Sequence, residues 1–212
     1  MRRERMAQSR MKRPPKPMLS ATLTIKVYDE NGKLTRVHRQ PSRSFVKQFM
    51  LIWNSYFQRI QQTATDTTNT SRTIDATRTW SAMVYFFYCC SAAGDLLYGV
   101  ICGTGTNAVT PTDYAVQTVI AHGSGAGQFM YGSGAAGFPN VDSTKSWINV
   151  IRSVFNQSGN AITINEVALY QCMTDSGGTY RSFCCLRDIV SPGVSVPNGS
   201  SAVIEYTYTA TA

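Results

Sequence analysis

The chain has 212 residues, 43% of them hydrophobic, with eleven Tyr, nine Phe and three Trp: enough for one packed core, too short for two full domains, and too apolar for wholesale disorder. Only 15% of residues are charged while Thr, Ser, Gly and Asn are plentiful, a profile that favours a β-rich protein whose neutral polar surface meets other protein more than water. The net charge of +8 is unevenly spread, since thirteen of the 20 Lys and Arg but only three of the 12 acids fall in residues 1–50, leaving +10 there and −2 in the remainder.

Residues 1–20 read as an extended basic arm. Arg2, Arg3, Arg5, Arg10, Lys12, Arg13 and Lys16 face one acid, Glu4, and Pro14, Pro15 and Pro17 interrupt any apolar periodicity. No apolar run of about 7–15 residues follows the basic start, as a secretory signal would need, and no stretch nears the ~20 apolar residues of a membrane span, so no membrane partner is expected. Residues 21–212 then read as a single domain. Leu23, Ile25 and Val27 alternate with polar residues as in a strand with one wet face, a turn follows at 29–33, and residues 34–39 return the alternation as a hairpin.

The period then changes. Phe45, Phe49, Ile52, Trp53, Tyr56, Phe57 and Ile60 recur every three or four residues, which predicts one amphipathic helix over 42–60 capped by Ser42 or Ser44. Residues 61–79 are rich in Thr and Ser with almost nothing apolar, and predict a long exposed loop or an ordered wrap. Beyond Trp80, short apolar runs at 83–90, 96–102, 128–131, 147–156, 161–173, 180–189 and 202–209 alternate with turn signals, among them Asn156 to Asn160 and Pro197-Asn198-Gly199; 114–121 is partly helical or extended. The expected class is mainly β, a β-sandwich or jelly roll with one helix and a basic N-terminal arm.

Motifs that could carry chemistry are weak. Gly103-Thr104-Gly105-Thr106-Asn107-Ala108 imitates a dinucleotide fingerprint, but Pro111 interrupts the helix whose amides would hold a pyrophosphate. Ser124 sits between glycines at the wrong spacing for a nucleophile elbow, and the only histidines are His38 and His122. The acids are scattered singly, so no catalytic residue, cofactor, metal or small-molecule substrate is expected. Cys89, Cys90, Cys102, Cys172, Cys184 and Cys185 include two vicinal pairs that fit zinc poorly; they read as small buried apolar residues on strands, with disulfide bridges within or between subunits as the alternative. Arg187-Asp188 reads as a local ion pair at a strand edge, and Asn165-Glu166 as a pair that caps or bonds exposed strand ends.

Two longer segments carry a resemblance. Gly99 to Tyr114 (GVICGTGTNAVTPTDY) with Ile120 to Gln128, and Ile151 to Tyr170 with Leu186–Val190, Val194–Gly199 and Ile204–Tyr208, resemble β-sandwich virion proteins of tailed bacteriophages. The resemblance covers about half the chain and implies a structural subunit of the tail, baseplate, fibre attachment or head surface, located in the virion after assembly in the host cytoplasm, without chemistry of its own. Its partners would be copies of itself and other virion proteins. The alternative is a jelly-roll shell protein whose arm binds packaged nucleic acid, because seven basic residues would release phosphate counterions.

Overall fold

Alternation of small apolar and polar residues sets most of the observed strands. The computed structural model describes residues 19–77 and 87–211. The chain runs β1 (Leu19–Tyr28), β2 (Leu34–Ser42), α1 (Lys47–Gln58), β3 (Gln61–Thr65), β4 (Ser71–Asp75), β5 (Gly99–Gly103), β6 (Met130–Ala136), β7 (Asn140–Val141), β8 (Lys145–Phe155), β9 (Ile162–Thr174), β10 (Tyr180–Val196) and β11 (Ser201–Thr211). The described residues are thus mainly β with one helix, in antiparallel sheets. The larger sheet has the order β2-β1-β11-β8-β6, with β7 added to β8; the second is β10-β9-β5, and β3-β4 form a separate hairpin. The C-terminal strand β11 lies inside the larger sheet, paired with both β1 and β8.

One hydrophobic core joins the two larger sheets. Leu23, Ile25 and Val27 of β1 and Ile204 and Tyr206 of β11 meet Ile164, Val167 and Leu169 of β9 and Leu186, Val190 and Val194 of β10, each worth about 1.5–3 kcal/mol of burial. The opposite face of the three-stranded sheet is covered too. There Phe49 and Ile52 of α1 pack on Ala64, Ile74, Met173 and Phe183, while Val46 and Val116 pack on Ile101, Ala168 and Tyr170. Being covered on both faces, β9 and β10 are buried almost continuously rather than alternately.

The edge strand β2 is polar on the side that faces β10, and its side chains tie the two sheets together. Arg36 donates to the Gly193 carbonyl at 3.2 Å, Gln40 to the Ile189 carbonyl at 2.9 Å and Ser42 Oγ to Asp188 at 2.6 Å. Four connections between paired strands open on an aspartate whose carboxylate accepts amides across the turn. Asp29 holds Asn31 and Lys33, Asp66 holds Thr68 and Thr70, Asp142 holds Thr144 and Lys145, and Asp175 holds Thr179. Asp66 and Asp175 each also bind an arginine six residues on, Arg72 at 2.7 Å and Arg181 at 2.8 Å.

Several expectations are corrected. The helix begins at Lys47, not Ser42, and neither Ser42 nor Ser44 caps it: the N-cap residue is Val46, without a side-chain cap, and the Lys47 amide instead donates to the Pro111 carbonyl at 2.7 Å. It ends at Gln58 because Arg59 turns left-handed at φ 51°. Residues 61–75 of the Thr-rich stretch are no long loop but the β3–β4 hairpin, whose two apolar side chains, Ala64 and Ile74, point into the helix-side core. Residues 114–121 form neither helix nor strand, apart from a single bridge between Gly103 and Val119. Half of the strand expected at 83–90, residues 83–86, falls outside the described residues; within 87–90, Tyr88 makes one bridge to Cys172. The turn expected at 156–160 is present, with Asn156 Nδ2 donating to the Asn160 and Val196 carbonyls.

Candidate functional site

The basic residues Arg2, Arg3, Arg5, Arg10, Lys12, Arg13 and Lys16 lie outside the described residues. All six cysteines are free thiols, five buried and Cys90 half-buried. Burial pushes the Cys89 and Cys102 thiols up to about 12 and Cys172 to about 11, which keeps them protonated and poor nucleophiles at neutral pH. Among the described residues no three His, Cys, Asp or Glu side chains are grouped to hold a metal, and no helix is long and apolar enough to cross a membrane.

The glycine-rich segments prove to be structural contacts. Gly103 and Gly105 lie against Glu166, where a Cβ at position 103 would meet the carboxylate at 2.5 Å. In the loop near Ser124, the Gly125 amide donates to Gln128 Oε1, and His122 Nδ1 accepts the Tyr131 amide at 3.1 Å, so that imidazole nitrogen is engaged by backbone.

Two charged groups on consecutive residues of β10 dominate the interior. Arg187 and Asp188 do not pair with each other, as the sequence led us to expect, and neither is exposed. Successive residues of a strand point to opposite faces, so each finds its own partners. Arg187 Nη1 meets Asp113 at 2.7 Å and Nη2 meets Glu166 at 2.9 Å, while Nη2 also donates to the Asn107 carbonyl at 3.2 Å. Glu166 is fully buried rather than at an exposed strand end, and accepts the amides of Gly105, Gln117 and Thr118 at 3.0–3.2 Å. Burial disfavours ionised Asp113, but the Thr110 amide and hydroxyl and the Arg187 guanidinium outweigh it and hold the carboxyl below its usual range. The cluster therefore clamps the loop at 104–118 onto the outer face of β9 and β10.

Asp188 faces the opposite way, into the core between the sheets. Its Oδ2 accepts Ser42 Oγ at 2.6 Å and Tyr206 Oη at 3.0 Å, and burial raises its pKa despite those bonds. A second buried cation, Arg152, holds no carboxylate side chain. It donates to the carbonyls of Gly132, Val100, Ala92 and Asp95 and stacks over the Tyr131 ring at 4.8 Å. Such a fork on four carbonyls fixes the path of residues 92–100, and nothing in the spacing of the sequence announces it.

An apolar groove of about 590 Å³ lies between α1 and the end of the larger sheet where β1 starts and β11 finishes. Phe49, Trp53, Tyr56 and Phe57 of α1 line it with Phe87 and Tyr208; ring centroids are 5.0 Å apart for Phe49–Trp53 and 5.3 Å for Trp53–Phe57. Its lining among the described residues is almost wholly aromatic and aliphatic, with Gln171 the one amide side chain. The sequence announced its α1 wall through the aromatic period but not the wall contributed by β8, β9 and β11. Comparison with protein-family models, with curated proteins and with solved structures gives no match.

Proposed function

We propose that this chain is a structural subunit of a tailed-phage virion, a β-sandwich of jelly-roll type that works by oligomeric assembly with copies of itself and other virion proteins. The supporting observation is where large apolar side chains meet solvent. Phe138, 93% exposed, lies just before β7 and Val141, also exposed, within it, and Met50 and Phe57 stand exposed seven residues apart on one face of α1. Large apolar side chains left in solvent are available for contact with another protein. The buried charged clusters described above serve the fold.

Size exclusion with light scattering, recording absorbance at 260 and 280 nm in low and high salt, tests the reading. A defined oligomer free of nucleic acid at both salts is the expected result. A monomer that carries nucleic acid until high salt strips it would instead favour the second reading, a shell protein whose arm binds packaged nucleic acid. That reading draws on one structural observation: the basic character of the arm continues into the β1–β2 hairpin and the segment after it, where Lys33, Arg39 and Arg43 are exposed.

A further inference from the structure

Strand β2 ends the larger sheet. It pairs with β1 along one side, and among the described residues no other main chain bonds to its opposite side. The register with β1 places Pro41 opposite Thr22. A proline has no N–H to give, so in an edge strand it stands where that group would point away from the neighbouring strand. Antiparallel pairs alternate between bonded and non-bonded positions, which puts Val37 and Arg39 in the same phase as Pro41, with their amides and carbonyls turned outward. Their side chains stand on the face of the sheet away from β10, where Val37 is 53% exposed and Arg39 is exposed as well.

The charge on this edge has one sign. From Asn31 to Thr65 the sequence holds no Asp or Glu, while Lys33, Arg36, Arg39 and Arg43 lie on or beside β2, and among the described residues no carboxylate pairs with any of the four. Proteins guard an open edge with proline or charge. Here Pro41 guards only the end of the strand, and at its centre the apolar Val37 stands beside open main chain. Like charge still disfavours a second copy, because pairing two β2 strands would bring their arginines together. We infer that the open edge of β2 is the docking site for an extended acidic segment of another protein, added to the larger sheet as a further strand. Main-chain bonds to Val37 and Arg39 fix the segment, its carboxylates meet Arg39 and the flanking Lys33 and Arg43, and an apolar side chain covers Val37. Phosphates of a nucleic acid suit the edge less well, since they can accept from the outward amides but give nothing to the outward carbonyls, whereas a peptide satisfies both. This assignment goes beyond the assembly reading and does not depend on it.

The test titrates the full chain into a short fluorescein-labelled peptide of alternating glutamate and valine and follows its anisotropy. Saturable binding is expected. It should weaken about tenfold or more in Val37→Pro, which removes one outward amide, and in Arg39→Glu, which reverses the charge that the carboxylates meet. Amide exchange on the native chain gives a second measurement that needs no substitution: the amides of Val37 and Arg39 should slow when the peptide is bound. Absence of saturable binding, or binding that leaves those two amides unprotected, would overturn the inference. Tighter binding of an oligothymidylate of equal charge, lost in Arg39→Glu but kept in Val37→Pro, would overturn it in favour of nucleic acid. A dimer of the native chain that Val37→Pro abolishes would overturn it in favour of a second copy on this edge. Because the readouts are bound peptide and two amides rather than particle size, the inference can fail while the assembly reading stands, and the reverse.

Discussion

Replacing Arg187 by methionine tests the central electrostatic claim. The guanidinium is 1% exposed and the Glu166 side chain 0%, so the substitution leaves a desolvated carboxylate with three amide donors and no cation. Breaking a buried pair by removing one partner costs about 3–5 kcal/mol, most of it the penalty on the charge left behind. Glu166→Gln is expected to cost less, about 1–3 kcal/mol, because Arg187 keeps Asp113 and the Asn107 carbonyl, and a glutamine oxygen still accepts an amide. The double variant should therefore be more stable than the sum of the two losses predicts, by about 1–3 kcal/mol, since it removes the stranded charge along with its partner.

Urea denaturation followed by fluorescence measures all three variants. With a slope of about 2 kcal/mol per molar urea, a 4 kcal/mol loss moves the midpoint by about 2 M. The Arg187→Met shift should hold in high salt, because a pair this deeply buried is poorly screened. A loss below about 1 kcal/mol for Arg187→Met, or strict additivity in the double variant, would refute the argument: the Glu166 carboxylate would then have to be reached by water.

Other perturbations separate the remaining groups. Asp66 and Asp175 are held below the usual carboxylate range, their burial outweighed by hydrogen bonds from Thr68, Arg72 and Thr70 and from Arg181 and Thr179. Their contribution is therefore present above the unfolded value and lost as pH falls through the folded one; Asp66→Asn and Asp175→Asn should each cost about 1–2 kcal/mol at pH 7 and progressively less below about pH 4 in thermal melts. Asp188 has the opposite sign. With its pKa raised by burial, the stability tied to its protonated form is full below the unfolded value and declines as pH rises through the folded one. Asp188→Asn should therefore change stability by no more than about 1 kcal/mol at pH 7 and flatten the dependence on pH, whereas a large loss at neutral pH would show that the charge itself is needed. Arg152→Lys keeps the charge but cannot span four carbonyls, and a loss of about 2–3 kcal/mol is expected by urea denaturation. Gly105→Ala would drive a methyl into Glu166 Oε1 and to 2.8 Å from the Gln117 Cβ, with an expected loss of about 1–3 kcal/mol.

Strands β1, β2, β8 and β11 of the larger sheet were legible because one of their faces is wet, so that in β1 Leu23, Ile25 and Val27 alternate with threonine and lysine, whereas most of β6 and all of β7 were not. The helix was legible in its period but not in its start, because the group that satisfies its first amide, the Pro111 carbonyl, lies 64 positions away and leaves no local mark. The β3–β4 hairpin was missed because only Ala64 and Ile74 are apolar in it. The aspartate that opens its turn, followed six residues later by arginine, recurs at Asp175 and Arg181, and this repetition was the available signal. The charged clusters were hidden for another reason. Arg187 reaches Glu166 across 21 positions and Asp113 across 74, so inspection of neighbours along the chain could only pair it, wrongly, with Asp188.

Consecutive placement of Arg187 and Asp188 has a mechanical consequence. One side chain ties β10 outward to the loop at 104–118, and the other ties it inward to Ser42 of β2 and Tyr206 of β11. The outward tie does not stop at the loop. Asp113 lies two residues beyond Pro111, whose carbonyl takes the first amide of α1, and α1 in turn provides four of the aromatic side chains that wall the groove. A helix lacking a side-chain cap depends on such an external acceptor for its first turn. Loosening the loop through Arg187 should therefore fray α1 at Lys47 and disturb Phe49 and Trp53 before the inner core between the two larger sheets gives way. The order of amide exchange in the Arg187→Met chain should follow this path, with the amides of α1 losing protection ahead of those of β1 and β11. Equal loss of protection everywhere would mean that the molecule opens only as a whole, and that the groove is no more easily disturbed than the core beneath it.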